Sequence, residues 1–327
     1  MHVVPWVWWT TVLLTTAILL FDVLVIGRRP HEPSRRETSV ALTVYVALAV
    51  CFGIGVWFYS GGEFGGEFFA GWLTEYSLSV DNLFIFLVIM GKLAVPRELQ
   101  QSALLVGIVL ALILRGLFIA VGAAAINQFS WVFYLFGAFL VITAVNLARE
   151  GGGGEGGYDE PRLVRWLRRA LRFSESWNGA RLTVHESGSR LFTPMFIVVV
   201  TLGVTDLLFA LDSIPAIYGL TSEPYLVLTA NIFALMGLRQ LYFLIGDLLT
   251  RLVFLSYGLA FLLLFIGVKL VLHAMHENTL PFVNGGEHVS WAPDIPIWVS
   301  LVVIVATLAV TTIASLASDR YRGGAAA

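Results

Sequence analysis

Residues 101–125 have the sequence QSALLVGIVLALILRGLFIAVGAAA, an apolar run in which Arg115 is the single charged side chain. A helix needs about 20 such residues to cross the hydrocarbon core of a bilayer. The apolar residues are continuous rather than alternating, which favours a helix over a strand of a membrane barrel. The run therefore predicts a transmembrane helix with one arginine deep inside it.

Comparable apolar runs occupy most of the chain. Hydrophobic residues make up 58% of the sequence and charged residues 13%, whereas soluble domains have roughly 25% charged residues. This composition excludes a large soluble domain and predicts an all-α, polytopic transmembrane helix bundle that forms one domain over residues 1–327. About nine helices are expected, at residues 6–26, 40–59, 70–90, 101–125, 131–147, 193–220, 225–249, 252–272 and 295–317.

The positions of Lys and Arg predict the orientation of these helices. The basic residues cluster at 28–36, 92–97, 149–190 and 320–322, whereas the alternate connections at 60–69, 126–130, 221–224 and 273–294 contain none. Because short loops rich in Lys and Arg remain in the cytoplasm, we expect the N-terminus outside and the C-terminus in the cytoplasm.

The segment 148–192 is the longest predicted cytoplasmic loop. It begins with a glycine-rich stretch, residues 151–157, which lacks the Gly-Lys-Ser/Thr ending of a phosphate-binding loop and is interpreted as a linker. Residues 161–172 place apolar side chains on one face and four arginines on the other. This pattern predicts a basic amphipathic helix on the membrane surface, with membrane lipid rather than nucleic acid as its partner.

Two segments of the chain share a motif. Glu75-Tyr-Ser-Leu-Ser-Val-Asp-Asn82 and Asp206-Leu-Leu-Phe-Ala-Leu-Asp-Ser213 each contain an acid, then an aspartate six positions later, then a small polar residue. One predicted helix later, Arg115 and Arg239 are each followed by leucine, an aromatic residue and glycine at matching spacings. Predicted helices three to five and six to eight would therefore form a 3+3 repeat.

On the predicted topology these two sets of helices run in opposite directions, so the repeat is inverted. Inverted repeats are typical of secondary transporters, whose sites lie near the midplane, often on interrupted helices. Pro215 predicts such an interruption, because proline removes a backbone donor. Residues six apart on a straight helix lie about 120° apart, so a joint site needs either unwinding or convergence of the two motifs, which would bring Asp81 and Asp212 together.

Four acids inside predicted membrane helices need compensation, since a charged side chain at the bilayer centre costs about 2.5–3.5 kcal/mol even on a lenient scale. Arg115 and Arg239 could neutralise two of them, and the remainder could bind a divalent cation or protons. The available ligands carry oxygen, which favours Mn²⁺, Mg²⁺ or Ca²⁺ over Zn²⁺. The candidate metal-binding residues are Glu75, Asp81, Asn82, Asp206, Asp212 and Ser213.

Three segments, residues 75–82, 210–216 (ALDSIPA) and 231–239 (NIFALMGLR), resemble motifs of the TerC family of integral membrane proteins, and the resemblance extends from about residue 5 to 320. It implies a protein of the bacterial-type plasma (inner) membrane that is linked to tellurium resistance or, as in Alx-type members, to manganese export. The motif acids of the family correspond to Glu75, Asp81, Asp206 and Asp212.

The leading prediction is a transporter that exports Mn²⁺ and has no prosthetic group. The sequence also leaves alternatives to this prediction. The buried charges could form structural ion pairs, or the protein could be a scaffold of a stress-resistance complex that docks still unknown protein partners through the central loop. An intramembrane aspartyl protease is a further alternative, since FLIGD (243–247) resembles a Gly-x-Gly-Asp motif, but this segment lacks the first glycine. A non-enzymatic protein is expected.

Overall fold

The computed structural model describes residues 3–27, 34–129, 131–150, 162–174, 176–186, 189–249, 254–276, 278, 284, 287, 289, 291–293 and 295–324. The helices and strands in these residues are, in chain order, α1 (Pro5–Gly27), α2 (Arg35–Ser60), α3 (Gly62–Lys92), α4 (Arg97–Gln128), α5 (Val132–Glu150), α6 (Arg162–Ala170), β1 (Thr183–Glu186), β2 (Ser189–Phe192), α7 (Pro194–Tyr218), α8 (Pro224–Leu249), α9 (Leu255–His276) and α10 (Ile297–Gly324).

Each predicted apolar stretch coincides with a helix. Predicted helices one to five are α1 to α5, and predicted helices six to nine are α7 to α10, because α6 is the short helix of the central segment. Seven of the described helices are long and apolar enough to cross a membrane: α2, α4, α5, α7, α8, α9 and α10. The predicted fold class, an all-α polytopic membrane protein, is confirmed.

Short connections make neighbouring helices antiparallel. Gly61, with φ of 105°, separates α2 from α3, and such a positive φ favours glycine because it has no Cβ. Thr221, between α7 and α8, donates to Glu67 near the start of α3 at 2.6 Å. The end of the bundle that holds Gly61, Glu67 and Thr221 is called the acidic end, and the opposite end, with Lys92 and Arg97, the basic end.

The helices pack in a crossed pattern. The most extensive contacts are between α5 and α9, between α3 and α8, and between α4 and α7. At the crossing of α5 and α9, a Cβ on Gly137 would lie 2.8 Å from the Gly267 carbonyl oxygen, and a Cβ on Gly267 would lie 3.0 Å from the Gly137 carbonyl oxygen. The two backbones therefore touch directly, as small residues permit in membrane helix pairs.

The helices that carry the two shared motifs are continuous. Both α3 and α7 keep helical geometry through their motifs, and Pro215 lies inside α7. The predicted interruption at Pro215 is therefore wrong for this backbone. Pro215 removes one backbone donor, but only three helical residues follow it, and its carbonyl oxygen still accepts from Gly219 N at 3.0 Å.

The central segment contains more structure than the sequence predicts. The basic helix is present as α6, and a hairpin of β1 and β2, which was not expected, follows it. The rings of Phe173, Phe192 and Phe196 stack on one another, and Trp177 packs against the helix core. These contacts attach the hairpin to the beginning of α7, while the glycine-rich stretch 151–157 lies outside the described residues.

Candidate functional site

Arg115, in the membrane-spanning part of α4, is the centre of a buried charged cluster. Its side chain is 1% exposed, and the side chains of Glu75 and Asp206 are 0% and 3% exposed. Arg115 Nε donates to Asp206 Oδ2 at 2.9 Å and Nη2 donates to Oδ1 at 3.0 Å. This bidentate geometry is the strongest form of an arginine–carboxylate pair, and it joins α4 to α7.

The remaining nitrogen of the guanidinium adds a second contact to α7 and joins two further helices, α8 and α3. Arg115 Nη1 donates to Asn231 Oδ1 of α8 at 3.0 Å and to Ser213 Oγ of α7 at 3.3 Å. It also forms an ion pair with Glu75 Oε1 of α3. The first acid of each shared motif, Glu75 and Asp206, therefore contacts the same arginine.

Helical spacing explains which motif residues meet. Residues 75, 79 and 82 differ by four and three positions and so share one face of a continuous helix, as do Asp206 and Ser213, seven apart. The buried face of α3 thus combines Glu75 with Ser79 and Asn82, all less than 10% exposed. Convergence of the two motifs, rather than unwinding, brings Glu75 and Asp206 together.

Several oxygens near these acids are buried without a hydrogen-bond partner in the described part of the chain. They are Glu75 Oε2, Ser79 Oγ and Thr205 Oγ1. Ser77 differs, because its hydroxyl donates to the Leu73 carbonyl oxygen at 2.7 Å. A buried polar atom without a partner costs about 1–3 kcal/mol, so these three oxygens are suited to a ligand that the cluster would bind.

Asp81 and Asp212 are the two motif aspartates expected to converge. Their backbones belong to α3 and α7, but their side chains lie outside the described residues. Among the side chains that are described, no group of three or more His, Cys, Asp or Glu is arranged to hold a metal ion. The described cluster consists of two carboxylates, one guanidinium, hydroxyls and an amide.

Arg239, the counterpart of Arg115 in the second repeat, lies beside a different cavity. This cavity of about 30 Å³ is near the basic end, and Arg239 lines it with Glu37 and Thr38 of α2, Gln101 of α4 and Gln240 of α8. With the Gln240 amide oriented so that its nitrogen donates to the Met236 carbonyl, Arg239 Nη2 donates to Gln240 Oε1 at 2.7 Å. Arg239 is 6% exposed.

Asn231 belongs to the cluster but is not among the metal-binding residues predicted from the sequence. Its Nδ2 donates to the Val227 carbonyl oxygen at 3.2 Å, which orients Oδ1 toward Arg115. The available signal was an amide in the largely apolar first half of α8, since polar residues within membrane helices usually mark function.

A second polar network occupies the acidic end. Glu67 accepts a hydrogen bond from Thr221, and Lys269 of α9 donates to Ser300 of α10 at 3.2 Å. Burial raises the pKa of the Glu67 carboxyl above its usual range, and the nearby carboxylates of Glu63 and Glu223 also raise it. The Thr221 hydrogen bond and the positive charge of Lys269 oppose these effects.

Comparisons with known proteins agree with this architecture. Residues 60–322 match the family model described as Integral membrane protein TerC family. An uncharacterized membrane protein of Mycobacterium tuberculosis is 46% identical over 97% of this chain and 80% of its own length. A protein of Escherichia coli K12 named putative membrane-bound redox modulator Alx is 34% identical over 98% of each chain.

Another relative, an uncharacterized membrane protein of Myxococcus xanthus, is 36% identical over 97% of this chain and 94% of its own length. No solved structure matches the chain at a significant level. The family model covers well over half of the sequence and includes both shared motifs and both arginines. The chain therefore belongs to the TerC family of integral membrane proteins.

Proposed function

We propose that this protein is a secondary transporter that exports Mn²⁺ from the cytoplasm, with the N-terminus outside and all nine long helices crossing a bacterial inner membrane. The observation that carries the proposal is the buried cluster in which Glu75 and Asp206 contact the same arginine. Intramembrane ionisable residues usually mark ion or proton pathways. Manganese handling would link the protein to metal or tellurium resistance.

The helix contacts support an inverted repeat. If α3, α4 and α5 correspond to α7, α8 and α9, a pseudo-twofold axis exchanges the α3–α8 contact with the α7–α4 contact and maps the α5–α9 contact onto itself. These are the three most extensive helix contacts of the bundle. The reciprocal approach of Gly137 and Gly267 has the same symmetry, and transporter sites lie at such repeat interfaces.

The charges of the cluster suggest how a cation would be bound. If both acids are ionised, Arg115 leaves one negative charge, and the two hydrogen bonds from Nε and Nη2 assign the arginine mainly to Asp206. Glu75 then retains Oε2 for a cation or a proton, with the hydroxyls of Ser79 and Thr205 unpaired nearby. Buried charges are tolerated only when they are paired.

In our proposed mechanism Mn²⁺ and protons compete for the same carboxylates. Mn²⁺ would bind Glu75, Asn82 and the motif aspartates Asp81 and Asp212 from the cytoplasmic side, and protonation of these acids after reorientation would release it outside. Oxygen ligands suit Mn²⁺ as well as Mg²⁺ or Ca²⁺. Arg115 would remain bound to Asp206 and Asn231 and keep the site electrically balanced during the exchange.

The test is Mn²⁺ uptake into inverted vesicles or proteoliposomes that contain the full chain. We expect uptake by the wild-type protein, at least a tenfold loss with Glu75→Gln, and a comparable loss when Asp81→Asn is combined with Asp212→Asn. Glu98→Gln, which removes a carboxylate at an exposed position of α4, is the matched control and should retain uptake. Absence of Mn²⁺ flux in the wild type, or full flux in these variants, would overturn the proposal.

A membrane scaffold is the second candidate, and the ordered hairpin β1–β2 with α6 is the observation that favours it. Deletion of the segment would also remove aromatic contacts to α7, so charge reversal is the sharper experiment. The double variant Arg165→Glu with Arg169→Glu tests this candidate. If it abolished metal or tellurium resistance while Mn²⁺ flux persisted, docking of a partner protein through α6 would explain the resistance. The protease alternative depends on Asp247, whose side chain lies outside the described residues.

A further inference from the structure

The helices α4 and α5 diverge from one another although only a short turn connects them. Each has a stronger partner elsewhere, since α4 packs on α7 and α5 packs on α9, and their contact with each other is slight. Between them is an opening of about 370 Å³, named here the α4–α5 groove, which α7 closes at the bottom. This volume falls within the range of about 300–1,000 Å³ that is typical of small-molecule sites.

The chemistry of the groove restricts its occupant. Every described residue that lines it is apolar, so it offers no side-chain hydrogen bond to a ligand. The lining consists of Phe118, Val121, Gly122, Ala125, Val132, Leu135, Phe136, Phe139, Leu211, Ile214 and Pro215. All three helices are long and apolar enough to span a membrane, where the surrounding apolar molecules are lipid chains.

One end of the groove has an aromatic border. Phe129 and Trp131, in the turn between α4 and α5, are both exposed, and their ring centroids are 5.8 Å apart. Exposed aromatic residues at the end of membrane helices lie at the level of the lipid headgroups. The groove therefore begins at the headgroup level of the acidic end and extends toward the middle of the bilayer.

The two walls of the groove are held differently. The Tyr218 hydroxyl donates to the Ile119 carbonyl oxygen at 2.8 Å, and a Cβ on Gly122 would lie 3.1 Å from the Tyr218 ring. These contacts fix α4 against α7, whereas α5 is held from its other side by α9. A molecule in the groove would replace the missing contact between α4 and α5.

We propose that the α4–α5 groove binds one acyl chain of a membrane phospholipid, whose headgroup lies beside Phe129 and Trp131. The apolar lining, the position within the membrane-spanning helices and the aromatic border all match an acyl chain attached to a polar headgroup. Ser213, which precedes the groove residue Ile214 in α7, accepts a hydrogen bond from Arg115. The bound chain therefore stabilises the helix that carries the second motif.

The experiment is native mass spectrometry of the full chain in mild detergent after incubation with palmitoyl-oleoyl phosphatidylethanolamine. We expect one tightly retained phospholipid on the wild-type protein. Ala125→Trp, which fills the groove from α4, should lower its occupancy at least tenfold. Val305→Trp, at an exposed position of α10, is the matched control for an added indole and should leave the occupancy unchanged.

Leu135→Trp fills the same groove from α5 and should lower the lipid occupancy in the same way. It replaces Ala125→Trp in the experiment if that variant does not fold. Equal lipid retention in the groove variants, or no retained lipid on the wild type, would overturn the proposal. Loss of a dimer in Ala125→Trp, without a retained lipid on the wild type, would instead identify a second copy of the chain as the occupant and would also overturn it.

Discussion

Arg115 and Arg239 occupy matching positions in the repeated sequence but have different surroundings. Arg115 contacts Glu75, Asp206 and Asn231 in the buried centre of the bundle. Arg239 instead lines a small cavity near the basic end with Glu37 and Gln101. The two similar motifs therefore place their arginines in different environments. Residues at matching positions of a sequence repeat need not have the same role.

The surroundings of Arg115 and Arg239 differ because different helices pack around them. Helix α2 packs against both α3 and α8, and its residues Glu37 and Thr38 line the cavity beside Arg239. Arg115, on α4, is buried by α7, α8 and α3, which supply Asp206, Asn231 and Glu75. Helix α2, which packs on the α3–α8 pair, thus gives Arg239 surroundings that differ from those of Arg115.

The largest expected decrease in the free energy of unfolding comes from Arg115→Met. Removal of the guanidinium leaves Asp206 and Glu75 as buried carboxylates without a counterion, and breaking a buried pair in this way costs about 3–5 kcal/mol. Arg239→Met, with the same loss of charge beside a polar cavity, should lower the free energy of unfolding much less. Denaturant unfolding of both variants in mixed micelles measures the difference. An equal or larger effect of Arg239→Met would show that the two arginines are equivalent.

A triple variant should restore most of the stability that Arg115→Met removes. Combining Arg115→Met with Glu75→Met and Asp206→Leu removes all three charges, and replacing a buried ion pair by well-packed apolar side chains is often neutral or stabilising. The same unfolding experiment measures the recovery, while Mn²⁺ uptake should remain lost. If the triple variant is as unstable as Arg115→Met, the hydrogen bonds to Asn231 and Ser213 rather than charge explain the role of Arg115.

The smallest change in the free energy of unfolding is expected at Glu67, in the polar network of the acidic end. Because burial raises its pKa in the folded protein, the folded state binds this proton more tightly than the unfolded state does. Its contribution to stability is therefore present at low pH and is lost as the pH rises through the folded-state pKa. The stability of Glu67→Gln relative to the wild type should accordingly increase as the pH rises.

Thermal unfolding of both proteins between mildly acidic and neutral pH measures this trend. Glu98→Gln, at an exposed position near the basic end, controls for the loss of one carboxyl group. A constant difference between Glu67→Gln and the wild type across this range would contradict the prediction.

The fold class followed from the sequence because apolar runs of sufficient length have few alternatives in a membrane. The site was predicted only in part. Glu75, Asp206 and Arg115 were identified because charges stand out in apolar helices, but which acid meets which arginine depends on helix packing. Asn231 was missed since an amide is less conspicuous than a charge. The interruption predicted at Pro215 was wrong because the proline removes a single backbone hydrogen bond, and α7 remains continuous to Tyr218 without it.

The contact between Gly137 and Gly267 has a mechanical consequence for α5 and α9. Helices usually interlock through rows of side chains, and these rows resist turning because ridges must leave their grooves. Where these two backbones touch, each glycine also has side chains packed closely against it, Val271 at Gly137 and Val141 with Leu140 at Gly267. The crossing therefore fixes both the distance and the rotation of the two helices, so α5 and α9 would move together as one body in any rearrangement of the bundle.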